Sequence, residues 1–294
     1  MTSFVEQEIA SQPACWREAA VRVRHGYPVL PAAGERVAVI GCGTSWFMAM
    51  CYATLRESLG HGWTDAFAAS DLPRDRRYDR IVAITRSGTT TEVLDALHAL
   101  RGQVPTVAIT ADTATPIVDA ADEIIALEFA DERSVVQTRF ATATLAILRA
   151  SLGQDMLPVA DDAERALVVP IDDLARSTQV SFLGQGWTTG LAYEAALKMR
   201  EAAQAWTEAY SAAEYRHGPV SVAEPTRTTW MLGTPPAGLA ADVRATGASF
   251  VWHEGLDPMA ALIVAQRTAV AMALARGLDP DHPRALTRSV ILAS

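Results

Sequence analysis

The chain has 294 residues, of which 50% are hydrophobic and 20% are charged, and its formal net charge is −9. This balance is typical of a folded globular protein, and the length suits two domains because single cores seldom grow beyond about 250–300 residues. The acidic excess argues against nucleic acid or an anionic membrane as a partner, since both require clustered Lys and Arg.

Cysteine content and the amino-terminal sequence indicate the compartment. Three cysteines in a chain of this length, with no Cys-x-x-Cys pair, predict reduced thiols and neither a disulfide framework nor a zinc site. The first residues carry acids where a secretory signal would be basic, and no apolar run reaches the ~18 residues of a membrane span. We therefore expect a cytoplasmic protein with no membrane partner.

The first half of the chain predicts a parallel sheet. An amphipathic helix is expected from Val5 to about Arg24, followed by three short apolar runs that are typical of buried parallel strands. These runs are Val37–Ile40, Arg80–Thr85 and Thr106–Thr110. Strands that alternate with helix-length segments indicate βαβ units.

The second half repeats this pattern after a polar stretch, Gly153 to Arg165, that we interpret as a linker. The run Val180–Leu183 followed by GQGWTTG mirrors the run before GCGTS, with the glycine pairs at the same spacing, which indicates an internal duplication. Further strands are expected at 228–232 and 248–252, and a final helix at 259–276. The predicted domains are residues 1–158, with the amino-terminal helix, and 159–294, with the carboxyl-terminal tail.

Two turns of the first half have the composition of a phosphate site. GCGTS follows the first predicted strand and TRSGTTTE the second, and the carboxyl ends of neighbouring parallel strands share one crevice. Glycines allow close backbone approach, hydroxyls donate to anionic oxygens, and each following helix directs its positive end toward the turn. The candidate residues are Gly43, Thr44, Ser45, Thr85, Ser87, Gly88, Thr89 and Thr90.

A simpler interpretation of these turns is that their hydroxyls only cap the next helices. Dinucleotide binding is disfavoured, because Trp46 replaces the third glycine of the Gly-x-Gly-x-x-Gly pattern after the first strand. After Val180–Leu183 the third glycine, Gly190, comes one place late, and no acid that would hold a ribose is evident.

The segment LAYEAALKMREAAQAW is strongly helical and carries three charges at i, i+4 and i+7, namely Glu194, Lys198 and Glu201. The spacing places all three side chains on one stripe, which suits either a solvated face with a Glu–Lys pair or an acid–base site. His217 follows in a His-Gly-Pro turn, where a lone histidine more often has a surface or core position than a catalytic role.

These motifs together resemble the sugar-isomerase (SIS) family, from about Glu8 to Val290. The series GCGTS, ITRSGTTTE and FLGQGWTTGLAYEAALKMREAAQAWTEAYSAAEYRHGPV is similar to the isomerase half of glucosamine-6-phosphate synthase and to the catabolic amino-sugar phosphate isomerases and deaminases, including tagatose-6-phosphate ketose/aldose isomerases. The resemblance implies an α/β protein of two tandem three-layer αβα SIS domains, each flavodoxin-like with a parallel sheet.

The resemblance also implies roles for individual residues. Ser45, Ser87 and Thr90 would hold the sugar phosphate, supported by Thr44 and Thr85. Glu201 would move a proton between C1 and C2, and His217 would open the ring, contributed across a homodimer interface in relatives. Glu194 and Lys198 match further active-site positions. No metal or other cofactor is expected, because one carboxylate near both carbons and one imidazole suffice for the chemistry.

Several positions depart from the synthase pattern. Arg86 stands in place of a glutamine and adds a cation that would suit a phosphate or another acidic group. Arg288 replaces a lysine near the carboxyl terminus and cannot form a Schiff base. Gln137 replaces a serine, as in the catabolic branch, and is a further candidate substrate contact. The chain contains no glutaminase domain, so the synthase reaction is disfavoured.

The preferred hypothesis is an isomerase or deaminase that converts a hexose or amino-hexose 6-phosphate into a ketose phosphate. One alternative is a deglycase of phosphorylated sugar–amine conjugates, with Arg86 or Arg288 receiving the conjugate's acid group. Another is a non-catalytic sugar-phosphate sensor, which the retention of Glu201 and His217 argues against. We expect the turns of the first half and the carboxylates of the second to serve a single pocket.

Overall fold

The computed structural model describes residues 2–24, 26–27 and 29–292 as an α/β protein with two parallel sheets. The strands are β1 (Val37–Gly41), β2 (Thr64–Ala68), β3 (Arg80–Ile84), β4 (Thr106–Thr110), β5 (Glu123–Ala126), β6 (Gln179–Gly184), β7 (Thr207–Ser211), β8 (Arg227–Leu232) and β9 (Ser249–Trp252). The helices are α1 (Phe4–Ala10), α2 (Gln12–Arg24), α3 (Thr44–Ser58), α4 (Thr91–Leu100), α5 (Ile117–Ala120), α6 (Arg139–Ser151), α7 (Leu157–Ala166), α8 (Thr188–Ala203), α9 (Leu239–Ala245) and α10 (Pro258–Ala275).

The chain forms two compact units, each built around one sheet. The first-sheet unit comprises residues 14–132, 139–157 and 287–294, and the second-sheet unit comprises residues 1–13, 133–138 and 158–286. The units are therefore discontinuous in sequence, unlike the predicted division into 1–158 and 159–294. The physical reason lies in local packing: α1 packs on α10, and residues 287–292 bond to the start of α4.

The first sheet has the strand order β2-β1-β3-β4-β5, all parallel, which is the flavodoxin-like order. Its inner strands β1, β3 and β4 are almost entirely buried because helices cover both faces. Ala38 and Ile40 of β1 pack with Leu97 of α4 and Ile117 of α5. Helix α3 packs against β1 and β2 and also contacts α6. This arrangement is the expected three-layer αβα architecture.

The second sheet repeats this order with one strand fewer, β7-β6-β8-β9, again all parallel. Leu183 and Met231 pack with Leu239 and Val243 of α9, and α8 contacts β6 and β7. Helix α10 is long and apolar enough to cross a membrane, but 72% of its apolar window is buried in the protein. It packs against α8, which is the environment of a core helix.

The predicted strands are confirmed to within two residues at each end, and three short strands were not predicted. Strands β2 and β7 are partly exposed and polar, so they lack the continuous apolar run of a buried strand, and β5 offers only the three apolar residues Ile124–Ala126. The final helix is confirmed at Pro258–Ala275.

The single amino-terminal helix predicted from Val5 to Arg24 is wrong, because Ser11 separates α1 from α2. Pro13 has no N–H to donate to the carbonyl of Ile9, and the Gln12 side-chain amide donates to that carbonyl instead, at 3.2 Å.

The linker predicted between Gly153 and Arg165 is also wrong over most of its length, because α7 occupies Leu157–Ala166. The Asp155 carboxylate accepts from the Leu157 N–H at 3.0 Å, just before the helix begins. Val159 and three alanines form the buried face. Alanine gives a weak apolar signal, which explains why the amphipathic pattern was missed.

Candidate functional site

The crevice between β1 and β3 is the topological switch point of the first sheet. These strands are neighbours, with Ile40 paired to Ala83, and the strand order runs away from them in opposite directions. Open α/β sheets bind ligands just beyond the carboxyl ends of the strands at such a point. The structure therefore brings the two hydroxyl-rich turns together, as the sequence predicted.

The turn after β1 is shaped by close backbone approach. A Cβ on Gly41 would lie 2.7 Å from the backbone carbon of Ser45, so only glycine allows α3 to start so near the strand. Gly43 precedes α3 with a φ of +53°. Thr44 and Ser45 form the buried first turn of the helix, where N–H groups and the positive end of the dipole favour an anion.

The turn after β3 is tightly wound. The Thr85 hydroxyl accepts from the Gly88 N–H at 3.2 Å, and the Ser87 hydroxyl accepts from the Thr89 N–H at 3.3 Å. Gly88 has a φ of +63°, and a Cβ there would lie 2.1 Å from the Thr115 hydroxyl. Thr90 is the N-cap residue of α4, yet its side chain makes no capping bond. The simpler interpretation, that these hydroxyls only cap helices, therefore does not hold for Thr90.

Cys42 lies in the turn after β1, between the two glycines. Burial raises the pKa of its thiol to about 11, and the nearby Glu92 carboxylate adds to the shift. The thiol is therefore protonated at neutral pH, so this cysteine adds no negative charge to the turn.

Both arginines that depart from the synthase pattern are engaged within the first-sheet unit. Arg86 Nη1 lies 3.6 Å from Glu132 Oε2, and its Nη2 donates to the Arg288 carbonyl at 3.2 Å. Arg288 Nη2 lies 2.5 Å from Asp131 Oδ1, and its Nη1 donates to the Glu132 carbonyl. Asp131 and Glu132 were not among the predicted site residues, because nothing in the sequence indicates which acids meet residues so distant along the chain.

In the second-sheet unit, α8 presents the predicted stripe of charges. Lys198 Nζ lies 2.5 Å from Glu201 Oε2 and 3.5 Å from Glu194 Oε1. The side chains of Lys198 and Glu194 are each 1% exposed, whereas that of Glu201 is 19% exposed. The solvated face considered from the sequence is therefore wrong for Glu194 and Lys198, and the ammonium holds a carboxylate that still reaches solvent.

Lys198 is also the only lysine in the chain, where every other such cation is arginine. An ammonium is compact and fits between two carboxylates, whereas the wide planar guanidinium of arginine needs more room. The presence of a single lysine sets Lys198 apart from an ordinary surface charge, and it was a usable signal in the sequence.

His217 and Gln137 also lie in the second-sheet unit. His217 is exposed at the end of the 3-10 turn Glu214–His217, directly before Gly218, whose φ is +136°. Gln137 is half-buried in the segment 133–138. The expectation that these residues and the hydroxyl turns serve one pocket stays a prediction.

No group of three or more His, Cys, Asp or Glu side chains suited to a metal ion occurs within residues 2–24, 26–27 and 29–292.

An open parallel α/β sheet with a hydroxyl-lined crevice at its switch point defines the class of fold. Residues 32–152 match the family model of the SIS domain. The matched segment carries both hydroxyl-rich turns, and the match agrees with the family that the motifs indicated.

Sequence relatives include glutamine–fructose-6-phosphate aminotransferases (isomerizing). Those of Aeropyrum pernix and Methanothermobacter thermautotrophicus are 26% and 28% identical, and each alignment covers 98% of this chain and 57% of the relative. This chain thus spans little more than half the length of those relatives.

Two solved structures share the fold over nearly the whole chain. Glucosamine-6-phosphate deaminase from Thermotoga maritima has a TM-score of 0.82 at 22% identity, covering 99% of this chain and 100% of that one. Tagatose-6-phosphate ketose/aldose isomerase from Escherichia coli has a TM-score of 0.79 at 20% identity, covering 96% and 97%. Likeness at these identities establishes the fold and leaves the reaction to be argued from the residues.

Proposed function

We propose that this protein is a phosphosugar isomerase or deaminase that converts a hexose or amino-hexose 6-phosphate into a ketose phosphate. The observation that carries the proposal is the Glu201 carboxylate, which reaches solvent while the buried Lys198 ammonium holds it at 2.5 Å. A base oriented in this way suits the removal of a proton next to a carbonyl and its return to the neighbouring carbon.

The amino-sugar reaction would proceed in two stages. In the open-chain 2-amino aldose, Glu201 would take the proton from C2 and return it to C1, while a proton passes from the amino group to O1. C1 thereby becomes a primary alcohol and C2 an imine. Water would then add to the imine carbon and ammonia would leave, giving the ketose phosphate. With a substrate that bears a hydroxyl at C2, the same proton transfer would give the ketose directly, without a leaving group.

The remaining residues would bind and prepare the substrate. Ser45, Ser87 and Thr90 would donate to the phosphate, with Thr44 and Thr85 supporting the turns. His217 is exposed, which suits a role in opening the sugar ring, and we propose that it does so in the site of a neighbouring subunit of a cytoplasmic homodimer. Neither nucleic acid nor a membrane is proposed as a partner.

The deglycase alternative is less well supported. It assigns the conjugate's acid group to Arg86 or Arg288, and both guanidinium groups already contact Glu132 or Asp131. Binding a second acid there would require these contacts to be replaced.

The test is a panel of hexose and amino-hexose 6-phosphates assayed for ketose formation and ammonia release. We expect turnover of at least one, and a loss of about 10²–10⁴-fold in kcat for Glu201→Gln, the usual contribution of a positioned base. Glu164→Gln, on the exposed face of α7, is the matched control and should retain full activity. Undiminished turnover in Glu201→Gln would contradict the assignment of the base, whereas a raised Tm with no turnover of any substrate would favour the sensor.

A further inference from the structure

Four residues of the first-sheet unit connect residues 287–292, here called the tail segment, to the turn after β3. Arg86 contacts the Glu132 carboxylate and donates to the carbonyl of Arg288 in the tail. The Arg288 side chain in turn contacts the Asp131 carboxylate and the Glu132 carbonyl. Arg86 thus holds the backbone that carries Arg288, and Arg288 holds the segment that carries Glu132, the acidic partner of Arg86. We call Arg86, Asp131, Glu132 and Arg288 the clasp.

Beyond the clasp, the tail segment runs along the turn. The Thr89 hydroxyl donates to the Ser289 hydroxyl at 2.9 Å, and the Thr91 N–H donates to the Val290 carbonyl at 3.2 Å. The Leu292 N–H then donates to the Thr91 hydroxyl at 3.0 Å. These bonds are made to Thr89 and Thr91, the residues on either side of Thr90, and they brace the turn that carries the proposed phosphate donors.

The charge of Arg86 is directed into the protein. Its side chain is 4% exposed and that of Glu132 is 0% exposed. Glu132 is itself held at the start of α6, where its Oε1 accepts from the Arg139 N–H at 2.8 Å. A cation that is buried against a fixed carboxylate and bonded to a tail carbonyl is placed to hold the tail, and its charge is largely compensated before any phosphate arrives.

We propose that Arg86 is a positioning residue, which docks the tail segment on the turn after β3 and thereby tightens phosphate binding without itself touching the phosphate. The coupling to phosphate rests on the proposed function, whereas the docking does not. Because coupling between two events is reciprocal, phosphate in the turn should also hold the tail segment more firmly.

Docking is tested by hydrogen exchange on the full chain, followed by mass spectrometry. We expect Arg86→Met to speed exchange at least about tenfold in peptides that contain the Thr91 and Leu292 amides, because those amides bond the tail to the turn. Arg86→Lys should restore part of the protection, since it keeps the charge but loses the fork geometry. Arg77→Met, in an exposed loop, is the matched control and should exchange like the wild type.

A second variant distinguishes release of the tail segment from general unfolding, which Arg86→Met could cause because it removes a cation beside the buried Glu132 carboxylate. Arg86→Met/Glu132→Gln removes both charges, and it should also release the tail while the rest of the first-sheet unit stays protected. Wild-type exchange at Thr91 and Leu292 in both variants would overturn the clasp.

Coupling is tested by calorimetric titration with inorganic phosphate. We expect Arg86→Met to weaken binding about tenfold and Asp131→Ala, which removes only the carboxylate partner of Arg288, to weaken it about threefold. Arg86→Met/Asp131→Ala should bind phosphate no more weakly than Arg86→Met, since Arg86→Met alone already releases the tail segment. Additive losses of affinity would mean that Arg86 contacts phosphate directly and would overturn the proposal.

The two proposals fail in distinguishable ways. A wild-type protein that binds no phosphate would overturn the coupling together with the proposed function, and the exchange result would still decide whether the clasp docks the tail.

Discussion

Each sheet has a switch point between two inner strands, β1 and β3 in the first and β6 and β8 in the second, but different residues line the two crevices. Gly41 and Gly184 both allow a helix to begin close to the inner strand. In the first sheet the neighbouring strand β3 ends in a hydroxyl-rich turn. In the second sheet Gly233 directly follows β8, and a Cβ added there would lie 3.1 Å from the Thr188 hydroxyl. Thr188 fills this crevice with its own side chain and accepts from the Gln185 N–H at 2.8 Å.

Other features were kept in both copies. Arg56 of α3 donates to the Thr64 hydroxyl at 2.9 Å, and Arg200 of α8 donates to the Thr207 hydroxyl at 3.3 Å, at the equivalent edge strand of each sheet. The two units therefore share structural contacts but differ in the residues that line their crevices. The first copy keeps a polar crevice, and the second carries its charges on the side of α8.

The largest effect is expected from Lys198→Met, which tests whether the charges of α8 form a buried unit. Removing the ammonium leaves the buried Glu194 carboxylate without this partner, which should lower the free energy of unfolding by about 3–5 kcal/mol. Urea unfolding measures the loss. Glu194→Gln/Lys198→Met should recover most of it, and Lys198→Arg should not, because the site is closed around a smaller cation. An unaltered midpoint in Lys198→Met would mean that the stripe is solvated.

A second prediction compares the two crevices directly. Ser87→Ala should weaken the binding of glucosamine 6-phosphate about tenfold or more, the usual loss for a hydrogen bond to a charged group. Thr188→Val should leave that affinity within about twofold and cost about 1 kcal/mol of stability, because the Gln185 N–H loses its acceptor. Titration calorimetry and urea unfolding separate the two effects. Equal losses of affinity would show that both crevices take phosphate.

The smallest effect concerns Cys42 in the first crevice. Since burial raises the pKa of this thiol to about 11, little thiolate is present at pH 8, and alkylation should be slow there and accelerate as the pH rises toward 11. Inorganic phosphate should slow it further by occupying the turn. Alkylation by iodoacetamide, followed by peptide mass spectrometry, measures both dependences. A fast reaction at pH 8 that phosphate does not slow would place the anion elsewhere.

The comparison also shows what the sequence could and could not predict. Continuous apolar runs identified β1, β3, β4, β6 and β8 because those strands are buried on both faces, whereas polar edge strands such as β2 gave no such signal. The hydroxyl turns were predictable because their positions follow from the strand ends. The partners of Arg86 and Arg288 were not predictable, since a contact between residues far apart in sequence depends on tertiary packing.

The discontinuous units have a consequence for how the protein is made. On the ribosome, residues 14–132 emerge early, but the first-sheet unit includes residues 287–292, which brace the start of α4. Helix α1 can pack on α10 only after that helix has been synthesised, about 250 residues later. Folding of either half during translation would therefore stop short of completion, and we expect protease resistance to appear only after the full polypeptide has been released.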